Sequence, residues 1–209
     1  MSIFKYILGL LVLHGTAFAQ HNMHQYNATQ TSSPSQVILD LMHKPMMVQP
    51  YADTGNIDID FLSNMMPHHQ GAIDSSKELL KHSSNSTVKN AAKRIIKEQE
   101  QEIKAFNALI KILQKENAPN INVNLKKFVK DAKKDMNLMM KNMMGLKLSQ
   151  NPDKDFLSGM IYHHQGAVAA SKQILKYTQD SRIKEIAEHI IKAQEKEIQE
   201  FTTLIKTLE

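Results

Sequence analysis

The chain has 209 residues, a formal net charge of +5, no cysteine or tryptophan, and 13 methionines with 10 histidines. That length suits one domain with a sizeable core, and the missing cysteine excludes disulfides, thiolate metal sites and a lipidated cysteine anchor. The basic excess is spread over helical faces with acids interleaved and without aromatics, which argues against a nucleic-acid partner.

Residues 1–19 read as a secretory signal peptide, with Lys5, an apolar run from Ile7 to Leu13, and Ala17-Phe18-Ala19 before Gln20. The run is too short to span a bilayer. A periplasmic or secreted protein without stable membrane insertion is therefore expected. Residues 20–56 read as a flexible Met/His-containing segment. It carries His21, Met23 and His24, and cleavage after Ala19 makes His21 the second residue, where amine, amide and imidazole nitrogens can hold Cu(II).

Within that segment a short helix capped by Ser35 is expected to end at Leu41, because Pro45 lacks an amide donor and tends to extend the residues before it. Met42, His43, Met46 and Met47 then form a cluster of three thioethers and an imidazole. Such a cluster is as fitting for a soft-metal clip as for core filling.

Residues 57–209 are dominated by a repeat. Met65-Met66-Pro67-His68-His69-Gln70-Gly71-Ala72 returns 95 positions later as Met160-Ile161-Tyr162-His163-His164-Gln165-Gly166-Ala167. The offset holds from Asp60/Asp155 to Leu113/Leu208, as expected of one duplicated helical unit. A helix capped by Asp58 or Asp60 has an apolar arc that includes His69 and Ser76, with His68 at its rim. A partner helix runs from Ser84–Ser86 to before Pro119, with Gln99 inside its arc and Glu102 at the edge. The second copy repeats this with His164, Ser171 and Gln194 inside, and His163 and Glu197 at the rims.

Between the copies, a helix from Asn124 to Met144 carries Met136, Met139, Met140, Met143 and Met144 at helical spacing, a stripe that serves core packing or metal ligation. Two hairpins and this connection imply an all-α fold, an antiparallel four-helix bundle with a Met-rich connecting helix or lid. Glycine weakens a helix interior, so the repeated Gly71 and Gly166 mark places where helices approach closely.

Imidazoles inside an apolar arc need partners. One account pairs His69 and His164 with Gln99 and Gln194 in networks that fix helix register. The other notes that Met65-x-x-His68-His69 and Met160-x-x-His163-His164 set a thioether one turn before imidazoles on one face. Thioether and imidazole without thiolate suit copper, and Cu(I) above all, better than zinc. No Glu-x-x-His, His-Glu-x-x-His, phosphate loop or serine elbow is present, so no enzymatic role is expected.

The paired His-His-Gln-Gly-Ala segments, with Asp-Phe-Leu upstream and Gln-Glu-x-Glu-Ile downstream, resemble those of the domain of unknown function 305 family. The resemblance covers residues 57–209. It implies an exported, ferritin-like bundle and, as in Met/His-rich members, copper binding with Met65, His68, His69, Met160, His163 and His164 at motif positions. Where the family pattern often has further methionines, this chain has Ser75, Ala170, Phe106 and Phe201. That shifts weight to Met42, His43, Met46, Met47 and the Met136–Met144 helix.

The expectation is thus a protein that sequesters or ferries copper and supports copper tolerance. Ag(I) is an analogous ion, and a copper exporter or another periplasmic copper protein is a candidate partner. Its competitor is a structural or partner-binding helical bundle without metal.

Overall fold

The computed structural model describes residues 32–118 and 123–208, and their regular structure is wholly helical. His21, Met23, His24 and the signal segment lie outside the described residues. Six helices follow in order: α1 (Pro34–Val48), α2 (Ile57–His82), α3 (Ser86–Glu116), α4 (Leu125–Met144), α5 (Pro152–Ile174) and α6 (Ser181–Ile205). None is long and apolar enough to cross a membrane.

Helix starts follow local side-chain chemistry, with asparagine taking the place expected of aspartate. The Asn56 and Asn151 side chains accept amide hydrogen bonds from Asp58 and Ile59 and from Asp153 and Lys154, satisfying donors that a first turn leaves unpaired. Asp60 and Asp155 act one turn later. Each carboxylate accepts from the amide and hydroxyl of a preceding loop residue, Thr54 or Ser149, at 2.7–2.8 Å. Asn85 and Asn124 cap α3 and α4. Ser33, and not Ser35, caps α1, whose first residue is Pro34, where a missing amide costs nothing.

α1 does not stop at Leu41. It continues through Pro45 to Val48. Packing offsets the lost donor, because Ile38, Leu39 and Met42 are buried against α2 and α5 and each large apolar side chain so buried contributes roughly 1.5–3 kcal/mol. α1 thereby belongs to one compact unit with the hairpins, Ser32–Glu209. Pro67 likewise sits inside a continuous α2.

Helices α2 and α3 form one hairpin, α5 and α6 the other, and α2 packs on α5. Each hairpin also carries the helix that precedes it, α1 on α2 and α4 on α5. The repeat is therefore a unit of three helices, and α4 is the counterpart of α1. The sequence agrees once the offset becomes 97: Leu41-Met42-His43-Lys44-Pro45-Met46-Met47 corresponds to Leu138-Met139-Met140-Lys141-Asn142-Met143-Met144, with five of seven residues identical.

Gly71 and Gly166 sit where these outer helices dock, and the two contacts differ. A Cβ on Gly71 would fall 1.9 Å from the Met42 carbonyl oxygen, whereas one on Gly166 would fall 2.3 Å from Met139 Sδ. Backbone thus meets backbone in the first repeat, and a side chain intervenes in the second.

Candidate metal centre

Of the four motif histidines, His68 and His163 meet where α2 packs on α5, while His69 faces Glu102 and Phe106 of α3 and His164 faces Glu197 and Phe201 of α6. His69, His163 and His164 are fully buried and His68 nearly so. The rings of His68 and His163 stack across the repeats with centroids 3.6 Å apart. Burial foremost, then the neighbouring imidazoles, pushes both well below the ordinary histidine pKa, so both are neutral near pH 7.

His68 Nε2 lies 3.0 Å from the His163 carbonyl oxygen. A carbonyl only accepts, so this contact places the ring proton on Nε2 and leaves the Nδ1 lone pair free. That Nδ1 is buried without a hydrogen-bond partner. The reciprocal approach of His163 to the His68 backbone falls short of a hydrogen bond, and both His163 ring nitrogens are buried and unpaired.

His69 and His164 are engaged differently. Glu102 Oε2 comes within 2.7 Å of His69 Nε2 but off the hydrogen-bond direction, while Glu197 Oε2 makes a formed bond of 2.8 Å to His164 Nε2. The expected Gln99 and Gln194 partners are not used, and their side-chain oxygens are buried without a partner. The glutamates win because a carboxylate makes the stronger, charge-assisted contact. Burial alone would raise the Glu197 carboxyl, but the bond to His164 and the charge of Arg94 outweigh it and hold it below the usual carboxylate range.

Beside His68 opens a cavity of about 180 Å³ between α1, α2, α4 and α5. Met46, Met65, His68, Met136 and Met139 line it, so three separate sequence clusters converge on one space. Tyr51, which no motif singles out, also lines it. Its phenol is pushed up to about 12 by burial and then by Asp60 and Asp53, and Lys133 lies 5.3 Å from its ring centre.

The remaining candidates divide clearly. Met42, Met143 and Met160 are buried in a shared apolar cluster, with Met140 packed against it. His43 is half-buried with an unpaired Nδ1. Met47 and Met144 are exposed. Among the described residues, no three His, Asp or Glu side chains gather as a metal site. Nitrogen and oxygen donors alone do not make one here. Four thioethers beside an imidazole with a free lone pair form a neutral, soft donor set, which fits Cu(I) or Ag(I) and suits hard divalent ions poorly.

The chain belongs to the family described as Domain of unknown function (DUF305), whose model matches residues 58–205. Among solved structures it is similar to CopM in a Cu(II)-bound form, with 26% identity and a TM-score of 0.54 over 73% of this chain and 98% of that one. CopM in an Ag-bound form obtained by soaking shows 27% identity and a TM-score of 0.53 over 72% and 95% of the two chains. A DUF305 fragment from Deinococcus radiodurans, 23% identical with a TM-score of 0.52 over 76% and 99%, shares the fold. The uncharacterized protein L153 of Acanthamoeba polyphaga mimivirus is 45% identical over 53 residues, and the match spans 25% of this chain and about a third of that relative, 35%.

Proposed function

We propose that the protein binds copper, as Cu(I), in the cavity lined by Met46, Met65, His68, Met136 and Met139, and that it sequesters or ferries the metal and so supports copper tolerance. The observation that carries this reading is the convergence of four thioethers and one imidazole from three helices on a single cavity. The free Nδ1 of His68 supports it, since a metal-bound imidazole characteristically donates its other nitrogen to a carbonyl. The likeness to CopM, solved with Cu(II) and with Ag, supports it independently.

Three further expectations belong to this proposal. Residues 1–19 export the chain to the periplasm or beyond, and His21, Met23 and His24 offer a separate Cu(II) site. The hairpins α2/α3 and α5/α6 form an antiparallel, ferritin-like four-helix core. The protein works without catalysis, handing copper to an exporter or another copper protein.

The test is a Cu(I) titration of residues 20–209 against a chromophoric chelator, beside the variant Met46→Leu/Met65→Leu/Met139→Leu. The tightest Cu(I) equivalent should be lost in the variant. Equal competition by both proteins would remove the metal from this cavity. No competition by either would favour a bundle that docks protein partners.

A further inference from the structure

Helices α1 and α4 pack on α2 and α5 rather than on α3 or α6, so they form an outer layer on the face of the bundle turned away from α3 and α6. That layer holds most of the exposed apolar surface. Of the large apolar side chains exposed among the described residues, Met47, Val48, Leu125, Leu138 and Met144 lie on α1 or α4, and Ile112 of α3 is the exception. Exposed apolar side chains are ordinary when scattered, but their confinement to one layer marks a surface that meets something.

The charge on α4 is sorted as well. At about 100° per residue, Lys126, Lys127, Lys130, Lys133, Lys134 and Lys141 fall within about a third of the helix circumference, and all are exposed. Asp131 falls beside that arc and Asp135 beyond it, where it lines the cavity. Among the described residues, Lys127 alone of these lysines is ion-paired, with Asp131. Leu138 and Met144 stand on or beside the same arc.

We propose that this face docks the protein reversibly on an anionic lipid bilayer, with the lysine ammoniums among the headgroup phosphates and Leu138 and Met144 at the acyl boundary. Three features choose this occupant. The stripe runs from Lys126 to Lys141, about 22 Å at 1.5 Å per residue, and a row of lysines on an amphipathic outer helix matches a flat array of phosphates. Protein partners prefer arginine and aromatic anchors and disfavour lysine, yet both arginines of the chain, Arg94 and Arg182, are on α3 and α6. A second copy would set lysine against lysine, which repels. The helix lies on the bilayer and does not cross it, since it is not long and apolar enough to span one. The inference stands apart from the copper reading, because neither these lysines nor Leu138 and Met144 line the cavity.

The test mixes metal-free residues 20–209 with vesicles of phosphatidylcholine, alone or with phosphatidylglycerol, and measures co-sedimentation. Binding should require phosphatidylglycerol and fade as salt rises past about 0.15 M, where the screening length is about 8 Å. The variant Lys126→Gln/Lys130→Gln/Lys134→Gln should lose on the order of 100-fold in affinity, at about fivefold per lysine. Lys133, which lies over the Tyr51 ring, stays in place. The chain has no tryptophan, so Leu138→Trp supplies a single reporter of depth, and Ile112→Trp on α3 supplies its control. On phosphatidylglycerol vesicles the emission of Leu138→Trp should move to the blue while that of Ile112→Trp stays put. No binding at low salt, unchanged affinity in the lysine variant, or a blue shift at residue 112 rather than 138 would each overturn the proposal. So would binding of poly-L-glutamate, lost in the lysine variant, without binding of vesicles; the occupant would then be an acidic protein.

Discussion

Arg94 and His189 occupy equivalent positions of the two repeats, and each reaches the glutamate that faces the other repeat's buried histidine. Arg94 Nε lies 3.3 Å from Glu197 Oε1 and its terminal nitrogen 2.8 Å from Glu200. His189 Nε2 stands 3.8 Å from Glu102 Oε1. A permanent charge therefore braces the His164–Glu197 pair, while a largely exposed imidazole attends the His69–Glu102 pair. The well-aligned bond is on the arginine side.

Substitution should expose that inequality. Arg94→Ala leaves a largely buried carboxylate with one partner fewer and should cost roughly 1–2 kcal/mol of stability, since charge-assisted bonds exceed neutral ones but Arg94 is partly solvated. His189→Ala should stay within about 0.5 kcal/mol, as surface changes usually do. Urea unfolding of the two variants beside the parent protein measures both. Equal losses would show that the arginine brace contributes nothing special.

The stacked pair His68 and His163 sets a pH dependence. Both are held well below the ordinary histidine range by burial and then by neighbouring imidazoles, whereas the unfolded chain takes up protons near pH 6.5. Their contribution is fully present above about pH 6.5 and is lost as pH falls below it, by roughly 1.4 kcal/mol per pH unit for each ring. Metal-free protein should therefore unfold at clearly lower urea at about pH 5.5 than at about pH 7.5, and His68→Gln/His163→Gln should flatten the difference. A parent protein with no such slope would mean that these rings titrate normally.

The two docking glycines should respond unequally to alanine. Gly71→Ala drives a methyl into the Met42 carbonyl, and backbone cannot step aside, so a loss of about 3 kcal/mol or more is expected as α1 is displaced. Gly166→Ala meets the Met139 side chain instead. It should cost about 1–2 kcal/mol and weaken Cu(I) binding by pushing a ligand out of place. Thermal melts and the chelator titration together distinguish the two effects.

Much of this was legible in the chain. The 95-residue offset located α2, α3, α5 and α6, and the repeated Gly71 and Gly166 foretold close helix contacts. Pro45 signals a helix end by its local cost alone, whereas the burial of Ile38, Leu39 and Met42 carries α1 past it. That break hid the likeness between α1 and α4, along with the two-residue shift from 95 to 97. Helical spacing points to glutamine as the histidine partner because Glu102 and Glu197 fall at the edge of the arc, yet a long side chain bends inward from there. The meeting of Met46, Met65 and Met136 in one cavity depends on how three helices pack, which no spacing within a single helix encodes.

The methionines at the ends of the outer helices and those of the core face opposite fates under oxidants. Met47 and Met144 are 64% and 69% exposed, while Met42 and Met160 are sealed from solvent. Sulfoxide formation follows access, so peroxide is consumed first at the surface pair, where an added oxygen disturbs no packing. The same oxygen on Met42 would force a polar group into the core. Oxidation of the outer thioethers therefore leaves the helix packing intact, whereas oxidation of the inner sulfurs would break it.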